Sequence, residues 1–96
     1  MKNTIMSIQI IPSVNPNEDK YEFVDAAIKV IEAAGVKYEV HPLETTMEGE
    51  LQDLLQVIQK MNDKLVNMGA ESIISQVKIY HNPSGVSSCR LTEKYR

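Results

Sequence analysis

An α+β fold in β-α-β-β-α-β order is what this sequence predicts, and three observations carry it. Apolar residues alternate with period two near the N-terminus, again after residue 35 and again after residue 72. Two longer stretches instead place apolar residues at three- and four-residue steps. Proline, glycine and asparagine punctuate the boundaries between these patterns.

In chain order, Thr4 to Ile11 alternates Met6, Ile8 and Ile10 with Ser7 and Gln9, the pattern of a strand with one covered face. Pro12 and Ser13-Val14-Asn15-Pro16-Asn17 then form a loop, with Asn17 as the expected cap of a helix whose first turn holds Glu18 and Asp19. Tyr21, Val24, Ala27, Ile28 and Ile31 give that helix an apolar stripe, and Gly35 ends it. Val36, Tyr38 and Val40 alternate with Lys37, Glu39 and His41 as strand two, which Pro42 interrupts. Leu43 to Gly49 reads as strand three of a hairpin. From Glu50 to Met68, Leu51, Leu54, Leu55, Ile58, Met61, Leu65 and Met68 trace a long amphipathic helix that stops at Gly69. Ile73, Val77 and Ile79 mark strand four, broken by Asn82-Pro83-Ser84-Gly85, and the tail from Val86 to Arg96 is expected to fray.

This order corresponds to a ferredoxin-like arrangement, a four-stranded antiparallel sheet with two helices on one face. Two helices with one apolar stripe each cover a single face, so the other is left for water, a ligand or another subunit. The register places Ser7, Gln9, Lys37, Glu39, Thr46, Glu48, Gln76 and Lys78 on that open face. A chain of 96 residues is expected to make one domain, spanning 1–96, and buries so modest a share of its surface that self-association is a natural supplement.

Composition removes several functions. The net charge of -3, with lysines scattered among more numerous carboxylates, argues against a nucleic-acid partner. The first strand also lacks the exposed aromatics that a base-stacking sheet needs. One cysteine, Cys89, makes neither an internal disulfide nor a paired-thiol metal site, which fits a reducing cytoplasm. Met1-Lys2-Asn3 leads straight into a strand pattern and no apolar run approaches the ~20 residues of a membrane span, so neither a signal segment nor a membrane is expected. The loop after strand one has no arginine for a phosphate and no cysteine or histidine for a metal. Cys89, His41 and His81 show no positional coupling of nucleophile to base and read as an incidental thiol and two solvated turn residues.

The informative stretch runs from Lys37 to Glu50, joining an aromatic, two threonines and carboxylates at a hairpin end. Part of it has a simpler reading. Thr45-x-x-Glu48 matches a capping box for the second helix, with Glu48, Glu50 and Asp53 near its positive end.

Met6-Ser7-Ile8-Gln9-Ile10-Ile11-Pro12, Tyr38-Glu39-Val40, Thr45-Thr46-Met47-Glu48-Gly49-Glu50 and the closing Glu93-Lys94-Tyr95-Arg96 together resemble the small thiamine-binding, YkoF-like family, formerly known only as a domain of unknown function. The resemblance runs end to end, and its tail departs from the family in being shorter and richer in serine. It implies a ferredoxin-like subunit that pairs into homodimers or homotetramers, binds thiamine or its hydroxymethylpyrimidine moiety, and catalyses nothing. Carried over by position, Ser7, Tyr38, Thr45, Thr46 and Glu48 become the ligand contacts, with no metal and no cofactor beyond thiamine as ligand. The chemistry fits, because an aminopyrimidine and a cationic thiazolium call for a carboxyl, hydroxyls and an aromatic or apolar wall. The alternative is a structural or regulatory oligomer without a small-molecule ligand, its open face reserved for subunit pairing.

Overall fold

Strand β1 (Thr4–Ser13) organises the sheet because it has a partner along both edges. In the computed structural model, which describes residues 2–95 and of Ser88 and Cys89 the backbone alone, the sheet order is β2-β3-β1-β4. The remaining elements are α1 (Lys20–Ala33), β2 (Lys37–Val40), β3 (Thr45–Gly49), α2 (Leu51–Asn67), β4 (Ser72–His81), a short α3 (Ser88–Thr92) and a 3-10 turn (Glu93–Tyr95). Every strand pair is antiparallel, so the predicted β-α-β-β-α-β order is the observed one. β4 pairs with β1 along its whole length, from Thr4 opposite His81 to Ser13 opposite Ser72.

The pleat of β1 sends Met6 and Ile8 into the core, where they meet Met47 of β3, Phe23, Ala27 and Ile31 of α1, and Leu54, Val57, Met61 and Leu65 of α2. Both helices therefore lie on one side of the sheet. Their phase differs from the sequence reading. In α1 the buried row steps by four residues through Phe23, Ala27 and Ile31, while Tyr21 is 79% exposed. Tyr21 precedes Phe23 by two residues, roughly 200° of helical rotation, so both cannot face the sheet. In α2 Val57 is buried and Leu55 is exposed, again a rotation of the expected stripe.

The helix starts also differ. Asp19, not Asn17, caps α1, its carboxylate accepting from the Tyr21 N–H at 2.9 Å. For α2, the residues read as a capping box lie in β3, an extended strand whose Thr45 and Glu48 are committed to the sheet. Glu50 holds the cap position without a side-chain capping bond. The Leu51 N–H instead donates to Asn3 Oδ1 at 3.0 Å, so a residue just before β1 closes the helix end.

That asparagine anchors a wider junction. Its Oδ1 also accepts from the hydroxyl of Thr4, a fully buried residue, at 2.8 Å. Thr4 has then spent its one proton, so its oxygen accepts from His81 Nδ1 at 2.9 Å. His81, expected as a solvated turn residue, is thus bonded to the first residue of β1. On the same side of the sheet, towards its other end, Asn62 Nδ2 donates to the Ile58 carbonyl and to Ser75 Oγ, joining α2 to β4. Gly35 and Gly69 close the two helices at φ of 74° and 105°, a region that disfavours a side chain. Within the tail lie α3 and the 3-10 turn, and Arg96, the last residue of the segment expected to fray, lies outside the described residues.

Replacing Asn3 by Ala removes one acceptor from two donors. We expect Asn3→Ala to lower unfolding free energy by about 1 to 2 kcal/mol in urea titrations. An unchanged midpoint would mean that Asn3 contributes nothing as the cap of α2.

Candidate functional site

The uncovered face is built from rows running across the strands. One row reads Lys37, Glu48, Ile5, Tyr80, and the next Glu39, Thr46, Ser7, Lys78. Beyond them Gln9 lies beside Gln76, and Ile11 beside Ile74. All eight residues expected on this face are there, and adjacent strands bring Ser7 beside Thr46 with Glu48 two residues away, roughly 7 Å along the strand.

Glu48 stands out because it is only 4% exposed, although it sits on the open face. A carboxylate withdrawn from water is costly unless paired, and Lys37 supplies a partner, its Nζ 3.3 Å from Glu48 Oε2. Lys37 is itself half exposed, so the pair straddles the boundary between protein and solvent. No role was read for Lys37 from the sequence, yet the β2–β3 pairing places it directly opposite Glu48, a relation that the hairpin register implies.

The pleat divides the five residues expected to contact a ligand. Ser7, Thr46 and Glu48 share the open face, while Tyr38 and Thr45 point to the helix layer. Tyr38 pairs with Met47 and packs against the core, but it also lines a cavity of about 90 Å³ with Lys37, Thr46 and Glu48. That space takes a functional group and not a whole ligand. Thr45 is buried and borders a separate cavity of about 230 Å³ between β1, α1 and the β2–β3 turn, walled by Ile10, Val24, Ile28 and Leu43. A larger open basin of about 750 Å³ runs from Glu48 and Lys37 past Glu50 and Asp53 to Lys2.

His41 is half-buried at the hairpin turn, its Nε2 3.8 Å from Glu39 Oε2 and its N–H donating to the Glu44 carbonyl. The Cys89 thiol, read as incidental, lies outside the described side chains. Among the described residues no group of three or more His, Cys, Asp or Glu side chains is placed to hold a metal ion. No described helix is long and apolar enough to cross a membrane.

A ferredoxin-like sheet with one face sheathed by helices, and a nearly covered carboxylate among hydroxyls and amides on the other, defines a small α+β module with one open, polar sheet face. Its relatives agree. The thiamine-binding protein family matches residues 6–96, and the chain belongs to that family. A UPF0045 protein of Clostridium perfringens is 45% identical over 91 residues, covering 95% of both chains. Among solved structures, a domain of unknown function (DUF77) from Bacillus cereus is 41% identical with a TM-score of 0.91, over 100% of this chain and 93% of that one. A candidate thiamine biosynthesis/salvage protein from Thermotoga maritima is 30% identical with a TM-score of 0.86, over 98% and 99%. The family resemblance and the fold read from the sequence are both borne out.

The Lys37–Glu48 pair yields a test of the site's electrostatics. Lys37→Met keeps the aliphatic stem but withdraws a charged partner from a buried carboxylate, and should cost roughly 1 to 3 kcal/mol of stability. Thermal and urea unfolding of the variant measure this, and wild-type stability would show that the contact contributes nothing.

Proposed function

We propose that this protein binds thiamine or its hydroxymethylpyrimidine moiety without turning it over, as a cytoplasmic homodimer or homotetramer. The observation that carries this reading is the buried carboxylate of Glu48 on the uncovered sheet face, beside the hydroxyls of Thr46 and Ser7. A carboxylate accepts from the pyrimidine amino group, and a hydroxyl either donates to a ring nitrogen or accepts. The acidic balance of the chain favours the permanently cationic thiazolium. Tyr38 bounds the patch at the β2 edge, and Thr45 supports it from beneath the sheet.

A family named for binding rather than for a reaction supports a role without catalysis. The lone cysteine is consistent with a reducing compartment. Self-association is favoured by the apolar residues that flank the polar rows: Ile5 beside Tyr80 at one end, Ile11 beside Ile74 at the other, with Ile74 60% exposed. Pairing two such faces would bury these residues around the polar centre.

Calorimetric titration with thiamine, thiamine diphosphate and hydroxymethylpyrimidine tests the ligand. Heat with none of them would leave the structural oligomer as the better reading. Because Glu48 does not cap α2, Glu48→Gln leaves the helix end intact, and the unfolding midpoint of the variant accounts for the Lys37 ion pair lost with the charge. Loss of a charge-assisted hydrogen bond worth roughly 1.5 to 3 kcal/mol should weaken thiamine binding by about one to two decades. Unchanged affinity would remove Glu48 from the site.

Light scattering at micromolar concentration should give a dimer or tetramer mass. Ile74→Glu, which places a charge in the apolar margin of the open face, should shift that mass towards the monomer. A monomeric wild type would exclude a site shared between subunits.

A further inference from the structure

Both ends of the described chain meet beside the Glu48 patch, and their charges run opposite to the overall balance. The Asn82 N–H donates to the Asn3 carbonyl at 2.8 Å, and the Val86 N–H to the Lys2 carbonyl at 3.1 Å, so the segment after β4 is stitched to the segment before β1. Between this seam and α3 opens a cavity of about 610 Å³. Its charged lining is Lys2 and Arg90, without a carboxylate, in a chain with thirteen acidic and ten basic residues.

The remaining polar groups suit the same kind of occupant. Tyr80, Ser84 and Ser87, three hydroxyl-bearing residues, also line the cavity. Ser87 Oγ already accepts from the Arg90 N–H at 3.4 Å, which leaves its own proton to donate. The nearby loop amides are occupied, Ser84 N–H by Asn82 Oδ1 and Gly85 N–H by the Asn82 carbonyl. Side chains therefore supply the donors: a guanidinium fork, an ammonium and hydroxyls, the set that recognises a tetrahedral oxyanion. Lys2 also lines the basin that contains Glu48, Glu50 and Asp53, so the cationic cavity and the acidic basin share this one wall residue.

We propose that this cavity is a phosphate subsite, and that the preferred ligand of the Glu48 patch carries a phosphate monoester. The second clause rests on the aminopyrimidine reading above, whereas the first stands on the cavity alone. A molecule with an amino or cationic head in the acidic basin and a phosphate between Lys2 and Arg90 would match both charges. The loop after β1 has no arginine for an anion, and the one that serves here arrives from the other end of the chain.

Two titrations of the full-length chain separate the clauses. In calorimetry, thiamine monophosphate should bind at least about tenfold tighter than thiamine at low ionic strength. That gap should close in Arg90→Gln, with thiamine affinity unchanged, shrink in Lys2→Gln, and narrow as salt rises. Equal affinities in the wild type, or a gap that survives Arg90→Gln, would overturn the ester preference. In the second titration, inorganic phosphate added to the ¹⁵N-labelled protein should shift the Ser84, Gly85 and Ser87 amides, with loss of the effect in Arg90→Gln. Absence of such shifts would overturn the subsite. If phosphate shifts these amides while thiamine and its ester bind nowhere, the aminopyrimidine reading fails and the phosphate subsite stands. Circular dichroism of both variants guards against loss of the tail helix, and the narrowed gap in Lys2→Gln provides a second check from the opposite end of the chain.

Discussion

The pleat of β1 constrains everything else in this molecule. Because β1 is paired on both edges, its side chains have only two directions, and the even-numbered ones are committed to the helix layer. Met6 and Ile8 fix that commitment by burial within the core. Shifting the register by one residue would bring Ser7 and Gln9 under the helices and expose Met6 and Ile8, so the hydrophobic effect locks the polar residues outward. Ser7, Thr46 and Glu48 share a face as a by-product of the burial of Met6 and Met47.

Glu48 pushes against this economy. A carboxylate in a sheet can reach solvent simply by facing outward, yet this one is nearly covered. Its strand neighbours explain why. Lys37 and Ile5 lie on either side in the same row, and Lys37 both shields and neutralises the charge. Burial sharpens any interaction that the carboxylate makes, because less water competes for it. The same seclusion makes the position intolerant of change.

Much of this was legible in the sequence. Strands β1, β2 and β4 announced themselves through alternation, and the positive-φ glycines at 35 and 69 marked the helix ends. Helix phase was harder. Phe23 and Tyr21, or Val57 and Leu55, are all apolar enough to occupy a stripe, and only the sheet beneath decides between them. The capping box misled because Thr45-x-x-Glu48 satisfies a local rule that β3 pairing overrides, and the donor's true partner, Asn3, lies 48 residues away. Residues joined by hydrogen bonds across such distances leave no local pattern. The division of the ligand candidates was, in contrast, readable: Tyr38 and Thr45 have the parity of Met47, whereas Thr46 and Glu48 do not. Lys2 and Arg90 needed the topology first, since only the β1–β4 ladder brings the chain's ends into one place.

That ladder has a consequence for how the chain reaches its fold. The longest pairing in the sheet joins the first strand to the last, while β1 and β3 form a shorter one. During synthesis, β1 therefore emerges and waits with an unsatisfied edge of backbone amides and carbonyls until β4 has been made. Contacts so distant in sequence slow closure of the sheet. An isoleucine-bearing strand left open in a nascent polypeptide is also a template for mispairing with another chain.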